Sequence, residues 1–160
     1  MTDATTRTAW AFQFNTGLLQ KATRAIPPDR WSQTPGDHSN SMLWVAGHLV
    51  WGRGQILQLL GQQRPEPWLT LFARGTTPDA AQQYPQPEEI LRAWTDASKQ
   101  LESALAAASD EALARPAPDG LPTSDGHLSG ALQFLTIHEG YHLGQLGYLR
   151  KWLGFSPTLG

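Results

Sequence analysis

The sequence predicts an all-α fold, a four-helix bundle, and three observations support this. Four stretches carry apolar residues spaced three and four apart, which is the helical repeat. No segment shows sustained alternation of apolar and polar residues, so little or no sheet is expected. Two long, proline-rich connections, 62–86 and 115–124, indicate that consecutive helices are not all neighbours in the bundle.

The first two predicted helices have recognisable ends. The first runs from about residue 5 to residue 25 and stops before two consecutive prolines, which cannot continue a helix. The second spans about 41–60. Ser39 and Asn40 are its candidate N-caps, and Gly61 is suited to the position just after its last turn.

The third and fourth helices are bounded as clearly. Pro87 occupies the first position of the third helix, and two glutamates follow in its first turn, where the helix dipole favours negative charge. The fourth helix spans about 127–153. Arg150 and Lys151 lie in its last turn, and Gly154 and Pro157 follow, which is a complete C-terminal pattern.

Length and composition limit the function. With 160 residues the chain predicts a single domain over 1–160. A formal net charge of -2 argues against a nucleic-acid partner. No apolar run is long enough to span a membrane, and the N-terminal residues do not resemble a signal peptide, so a cytoplasmic location is expected. The 16% of charged residues and 7 tryptophans favour self-association, most simply as a homodimer.

Histidines on the fourth helix predict a metal site. His138 and His142 are four residues apart, so both rings project from one face, one turn apart. The same face carries apolar residues, and a buried imidazole needs a hydrogen-bond partner or a ligand role. The chain has no cysteine, so any metal must be held by nitrogen or oxygen. The alternative is a pair of ordinary core histidines with satisfied hydrogen bonds.

A third histidine, His48, lies within the apolar second helix. Alone it is more simply a structural residue, but metal sites in bundles are built from side chains on facing helices. Together with His138 and His142 it gives three nitrogen ligands and an open position, which is typical of catalytic rather than structural sites. His38 and His127 fall in or near loops and are expected to be solvated.

The string HEGYH, 138–142, also matches the HExxH motif of zinc proteases. Those enzymes take their third ligand downstream, and this chain has no Asp, Glu or His after His142. The protease interpretation is therefore disfavoured. Glu139 is either a general base beside a metal-bound water or a solvated helix residue.

Three blocks of the sequence resemble the DinB-like family, a group of helical bundles that includes YfiT-type metal-dependent hydrolases and several low-molecular-weight-thiol transferases. The blocks are WVAGHLVW around His48, LFARGTTPDAAQQYP over 71–85, and LTIHEGYHLGQLGYLRKWLG around His138 and His142. The resemblance implies an up-down-down-up bundle with a long crossover between helices two and three. It also implies a His48–His138–His142 site with zinc or nickel, and a homodimer.

The resemblance and the histidines together predict an enzyme. A metal ion bound by three histidines would activate an external thiol or a water molecule. The reaction would be thiol transfer to a small organic substrate or its hydrolysis, with the substrate held under the segment 68–72. Gln145 either orients a ligand or substrate through hydrogen bonds or packs between helices. Trp44 either forms a wall of the site or belongs to the core. The alternative is a non-catalytic bundle in which the metal is structural or part of a small-ligand sensor.

The fourth helix also carries three glycines on one side, at Gly140, Gly144 and Gly147. Glycine costs up to about 1 kcal/mol relative to alanine within a helix. Their clustering predicts the close approach of another helix, preferably within the bundle and otherwise from a second subunit.

Overall fold

A computed structural model describes residues 3–63, 66–76, 79 and 82–159. Four long helices and one short helix account for most of these residues. Their bounds are α1 Asp3–Thr23, α2 Met42–Leu59, α3 Pro87–Ala107, α4 Asp110–Leu113 and α5 Leu128–Trp152. Within the described ranges there is no strand, only one isolated bridge between Pro116 and His127. The all-α prediction is confirmed.

The predicted helix ends are correct to within two residues, with one wrong cap. Ser41, not Ser39 or Asn40, caps α2, because its hydroxyl accepts a hydrogen bond from the amide of Trp44. Ser39, Asn40 and Ser41 are all residue types that cap helices. Which of them does so depends on how the first turn of α2 is oriented when its apolar residues are buried. Gly61 and Gly154 have φ of 78° and 88°, the left-handed conformation expected just after a helix.

Two core clusters reveal the directions of the four long helices. One cluster combines the C-terminal halves of α1 and α5 with the N-terminal halves of α2 and α3. The other combines the opposite halves. Helices α1 and α5 therefore run one way and α2 and α3 the other, the up-down-down-up order. Helix α1 packs against α5 and α3, and α2 packs against the same two helices.

The connection between α2 and α3 folds back over α2 and contains a 3₁₀ turn, Leu69–Phe72. Phe72 is fully buried, and its ring lies directly over Gly47, where a β-carbon would collide with it. Part of the block that resembles the DinB-like crossover, residues 77–78 and 80–81, falls outside the described residues.

Helix α5 is rotated relative to the sequence prediction. Glu139, expected to be solvated if not catalytic, is only 2% exposed, whereas Trp152, placed on the core face, is 43% exposed. From the apolar pattern of a helix alone, every carboxylate is expected on the solvent side, and this expectation is wrong for Glu139. It fails here because the interior supplies Arg53 as a partner for Glu139.

The outer side of α5 is not covered by another helix of the bundle. β-Carbons added at Gly140 or Gly144 would meet nothing within 4 Å, and one at Gly147 would meet only the Thr158 hydroxyl. The preferred prediction of close helix packing within the bundle is therefore wrong. Among the described helices, none is long and apolar enough to cross a membrane.

Candidate metal centre

The three predicted ligand histidines meet between α2 and α5. One nitrogen from each of His48, His138 and His142 lies within 4.8 Å of the others. The Nε2 atoms of His138 and His142 are 3.2 Å apart. Two nitrogens bound to one tetrahedral zinc at about 2.0–2.1 Å would be separated by roughly 3.3 Å. The spacing of these nitrogens is therefore compatible with shared coordination of one transition-metal ion.

Two of the three histidines make a hydrogen bond through Nδ1 that orients the ring. The Nδ1 of His48 donates to the carbonyl of Phe72 at 2.7 Å, which fixes the proton on Nδ1 and leaves the Nε2 lone pair available. The Nδ1 of His142 lies 2.8 Å from Oε1 of Gln145 and donates to it in the same way. Such partners are the usual means by which proteins fix the tautomer of a metal ligand.

Gln145 and Trp44, both predicted near the site, contact its histidines. Gln145 accepts a hydrogen bond from the ring of His142. Trp44 stacks on His48 with ring centroids 5.0 Å apart, and Trp51 also stacks on it, with centroids 5.1 Å apart. Trp44 is also part of the buried core, so the two interpretations of this residue are not exclusive. The indole pair restricts His48 to one orientation.

Burial keeps the imidazoles neutral. Burial lowers the pKa of all three histidines, and it is the largest cause in each case. The pKa of His138 falls to about 4, with further contributions from the charges of His142, His48 and Arg74. Neutral imidazole is the form that binds a metal, so near pH 7 the site needs no proton release before binding.

The other two histidines lie away from this centre. Both His38 and His127 are exposed, as predicted. The Nδ1 of His127 lies 3.8 Å from a carboxylate oxygen of Asp125 at the start of α5. Neither belongs to the three-histidine group.

The interior also contains a charged pair beside the metal centre. Nε of Arg53 is 2.8 Å from Oε1 of Glu139, and its Nη2 is 3.1 Å from Oε2. The Nδ2 of Asn15 donates to the same carboxylate at 3.2 Å. Arg53 was not among the predicted site residues. It is the only charged residue in α2, and an isolated charge in an apolar helix needs a partner, which is the signal that could have identified it.

A cavity of about 570 Å³ begins at the metal centre and is lined in part by His48 and His138. Its lining also includes exposed residues, among them Arg74 and, from the second proline-rich connection, Pro118 and Pro122. The prediction that a substrate would lie under the segment 68–72 does not match this arrangement. That segment packs behind His48 rather than over the cavity.

The structure is a four-helix bundle in which three histidines face one another beside a cavity, and this defines its class. Residues 11–146 match the DinB superfamily, and the chain therefore belongs to it. In fold the chain is similar to YfiT from Bacillus subtilis, described as a probable metal-dependent hydrolase with an unusual four-helix bundle topology. The TM-score is 0.66 at 15% identity, over 98% of this chain and 91% of that one. No curated protein matches the sequence.

Proposed function

We propose that this protein is a metal-dependent enzyme in which His48, His138 and His142 bind one divalent ion, zinc or nickel. The ion supplies Lewis-acid activation, lowering the pKa of a bound thiol or water so that it becomes a nucleophile near neutral pH. The reaction would be thiol transfer to, or hydrolysis of, a small organic substrate. YfiT, which has a similar fold, is described as a probable metal-dependent hydrolase.

One observation carries the proposal: two of the three histidines line a cavity large enough for a small molecule. Its volume of about 570 Å³ falls within the range of ligand pockets, roughly 300–1,000 Å³. A purely structural metal is usually enclosed by four protein ligands. Within the described residues the metal-ligand group has only three members, which favours an open coordination position.

In this proposal the residues around the ligands have distinct tasks. The Phe72 carbonyl and Gln145 hold their histidines in the metal-binding tautomer, and Trp44 limits the rotation of His48. Glu139 is the general-base candidate, because it is a carboxylate that lines the cavity. Since both its oxygens already accept hydrogen bonds from Arg53, it would have to act from within an ion pair.

We also propose that the protein forms a homodimer through the outer side of α5 and the neighbouring α1. Between residues 128 and 149, the charged residues of α5 are limited to Glu139, which is buried. Exposed apolar side chains occur on both helices, and the open glycines of α5 would allow close approach. They are Trp10, Phe14, Ile137, Tyr141 and Tyr148. We call this set the α1–α5 surface.

Metal analysis followed by an activity screen tests the enzymatic proposal. The purified protein should contain, or take up after chelation, about one zinc or nickel ion per chain. The loaded protein should then turn over members of a panel of low-molecular-weight thiols with electrophiles, or of hydrolysable esters and amides. Failure to bind any metal contradicts the proposal. Tight metal binding without any reaction favours the alternative of a structural metal or a small-ligand sensor.

A further inference from the structure

The cavity beside the metal centre has walls that are mostly apolar. Aliphatic, aromatic and proline side chains from α2, α5 and the second proline-rich connection contribute to it. They are Leu49, Trp51, Ile56, Leu121, Pro122 and Phe134. Such walls bind the hydrocarbon part of a ligand, at about 25 cal/mol per Å² of apolar surface removed from water. These walls are therefore suited to a ligand with a substantial apolar portion.

Polar groups in the cavity are few, and their charges do not cancel. Glu139 borders the cavity, but its charge is neutralised by Arg53, 2.8 Å away and itself 1% exposed. Arg74 borders the cavity from the crossover side. In the part of the chain that the structure describes, no hydrogen bond or ion pair engages the Arg74 guanidinium. The cavity therefore presents one uncompensated positive charge.

Arg74 lines the same cavity as His48 and His138. A molecule that reaches from Arg74 to the His48–His138 end of the cavity would thus be held at one end and exposed to the metal at the other. Guanidinium groups suit this task because they bind planar oxyanions through two parallel hydrogen bonds.

We propose that the cavity binds a small amphiphilic anion, with its carboxylate or similar oxyanion on Arg74 and its apolar body along the cavity walls. This inference rests on the proposed function, since it assigns the substrate class of the same metal centre. A cationic ligand would be repelled by Arg74 and would find no unpaired carboxylate among the described lining residues. A neutral ligand would gain no charge-assisted hydrogen bond from Arg74.

A matched pair of probes tests the assignment: cyclohexanecarboxylate and cyclohexanecarboxamide, which have nearly the same shape and differ in charge. Binding of each is measured by titration calorimetry to zinc-loaded and to metal-free protein. The variants are Arg74→Gln, Arg74→Lys and a control, Arg92→Gln, on the exposed side of α3 and away from the cavity. Metal content is measured separately for every sample.

The expected result is a preference for the acid over the amide of about fivefold or more in the parent protein, as charge-assisted hydrogen bonds provide. Arg74→Gln should abolish the preference, Arg74→Lys should retain part of it, and Arg92→Gln should leave it unchanged. Equal binding of acid and amide, or no binding of the acid at millimolar concentration, overturns the proposal.

The two forms of the protein separate this inference from the metal proposal. A preference that survives Arg74→Gln but disappears without zinc would place the carboxylate on the metal and overturn the role of Arg74. If the protein takes up no metal at all, the proposed enzymatic function fails. The acid preference of the metal-free protein and its loss in Arg74→Gln would still decide the assignment of Arg74.

Discussion

Arg53 and Glu139 form an ion pair inside the bundle, with Nε and Oε1 2.8 Å apart and both side chains almost fully buried. Arg53 also donates to the backbone carbonyl of Phe12 and to the hydroxyls of Thr16 and Ser98, so all five of its N–H groups have acceptors. Its guanidinium lies 3.8 Å from the ring centroid of Trp94. The network joins all four long helices, and one of its members, Glu139, directly follows His138 in the sequence.

We predict that Glu139→Gln destabilises the fold by about 3–5 kcal/mol, because it leaves the Arg53 charge buried without a counter-ion. The double variant Arg53→Met with Glu139→Leu should recover much of this loss, since apolar side chains can replace a buried pair. Denaturant unfolding measures both values. A loss below about 1 kcal/mol for Glu139→Gln would show that the pair contributes little.

The same variant separates the two roles of Glu139. If it is a general base, Glu139→Gln should lower kcat by about a hundredfold or more while metal content stays near one ion per chain. If it only positions α5, the metal affinity should fall and the kcat of the fully loaded protein should be nearly normal. Activity and metal titrations are therefore read on the same samples.

The three-histidine centre predicts a clear division among the histidines. His48→Ala, His138→Ala and His142→Ala should each weaken zinc or nickel binding by more than about a hundredfold, since even second-layer changes cost 10–100-fold. They should lose most of any metal-induced rise in Tm. His38→Ala and His127→Ala are the controls, because both are exposed and away from the site. Retention of the full shift by His48→Ala would exclude it as the third ligand.

The pairing of His138 and His142 could be predicted from spacing, because a helix rigidly relates residues four apart. The addition of His48 depended on the bundle fold and on the family resemblance. The bundle topology followed from the long connections and the family resemblance. Arg74 and the carbonyl of Phe72 could not be predicted in this way. They reach the site through irregular chain between α2 and α3, whose path is set by tertiary packing such as the Phe72 ring on Gly47. The burial of Glu139 was missed for a related reason: its partner lies on another helix.

Gly47 links that packing to the metal centre. An alanine there would place its β-carbon on the Phe72 ring and displace the segment whose carbonyl accepts from Nδ1 of His48. We predict that Gly47→Ala weakens metal binding by about 10–100-fold, the usual effect of losing a partner of a ligand. Gly52→Ala on the same helix is the control, because its added β-carbon meets nothing within 4 Å. Unchanged metal affinity in Gly47→Ala would contradict the orienting role of Phe72.

Acid should destabilise the metal-free protein. The unfolded chain binds protons at its histidines near pH 6.5, whereas the pKa of folded His138 is about 4 and those of His48 and His142 are lowered. The unfolded state therefore binds more protons between these values, and the free energy of unfolding should fall as the pH drops from about 6.5 toward 4. Denaturant unfolding at several pH values measures this. His138→Gln should show a shallower decline, and an identical decline would contradict the depressed pKa.

The α1–α5 surface leads to the last prediction, a dimer at micromolar concentration. Ile137 and Tyr148 are 67% and 61% exposed and lie on a helix side without exposed charge up to residue 149. Large exposed apolar patches on small soluble proteins mark surfaces that bind another protein. A two-fold interface would bring each α5 against its copy, so that one aspartate introduces two like charges into the contact. Ile137→Asp and Tyr148→Asp should therefore shift light scattering from dimer toward monomer, with helical content unchanged. Ser103→Asp on the exposed side of α3 is the matched control and should stay dimeric. A monomeric parent protein would overturn the dimer, whereas dimers that persist in both α5 variants would place the interface on another surface.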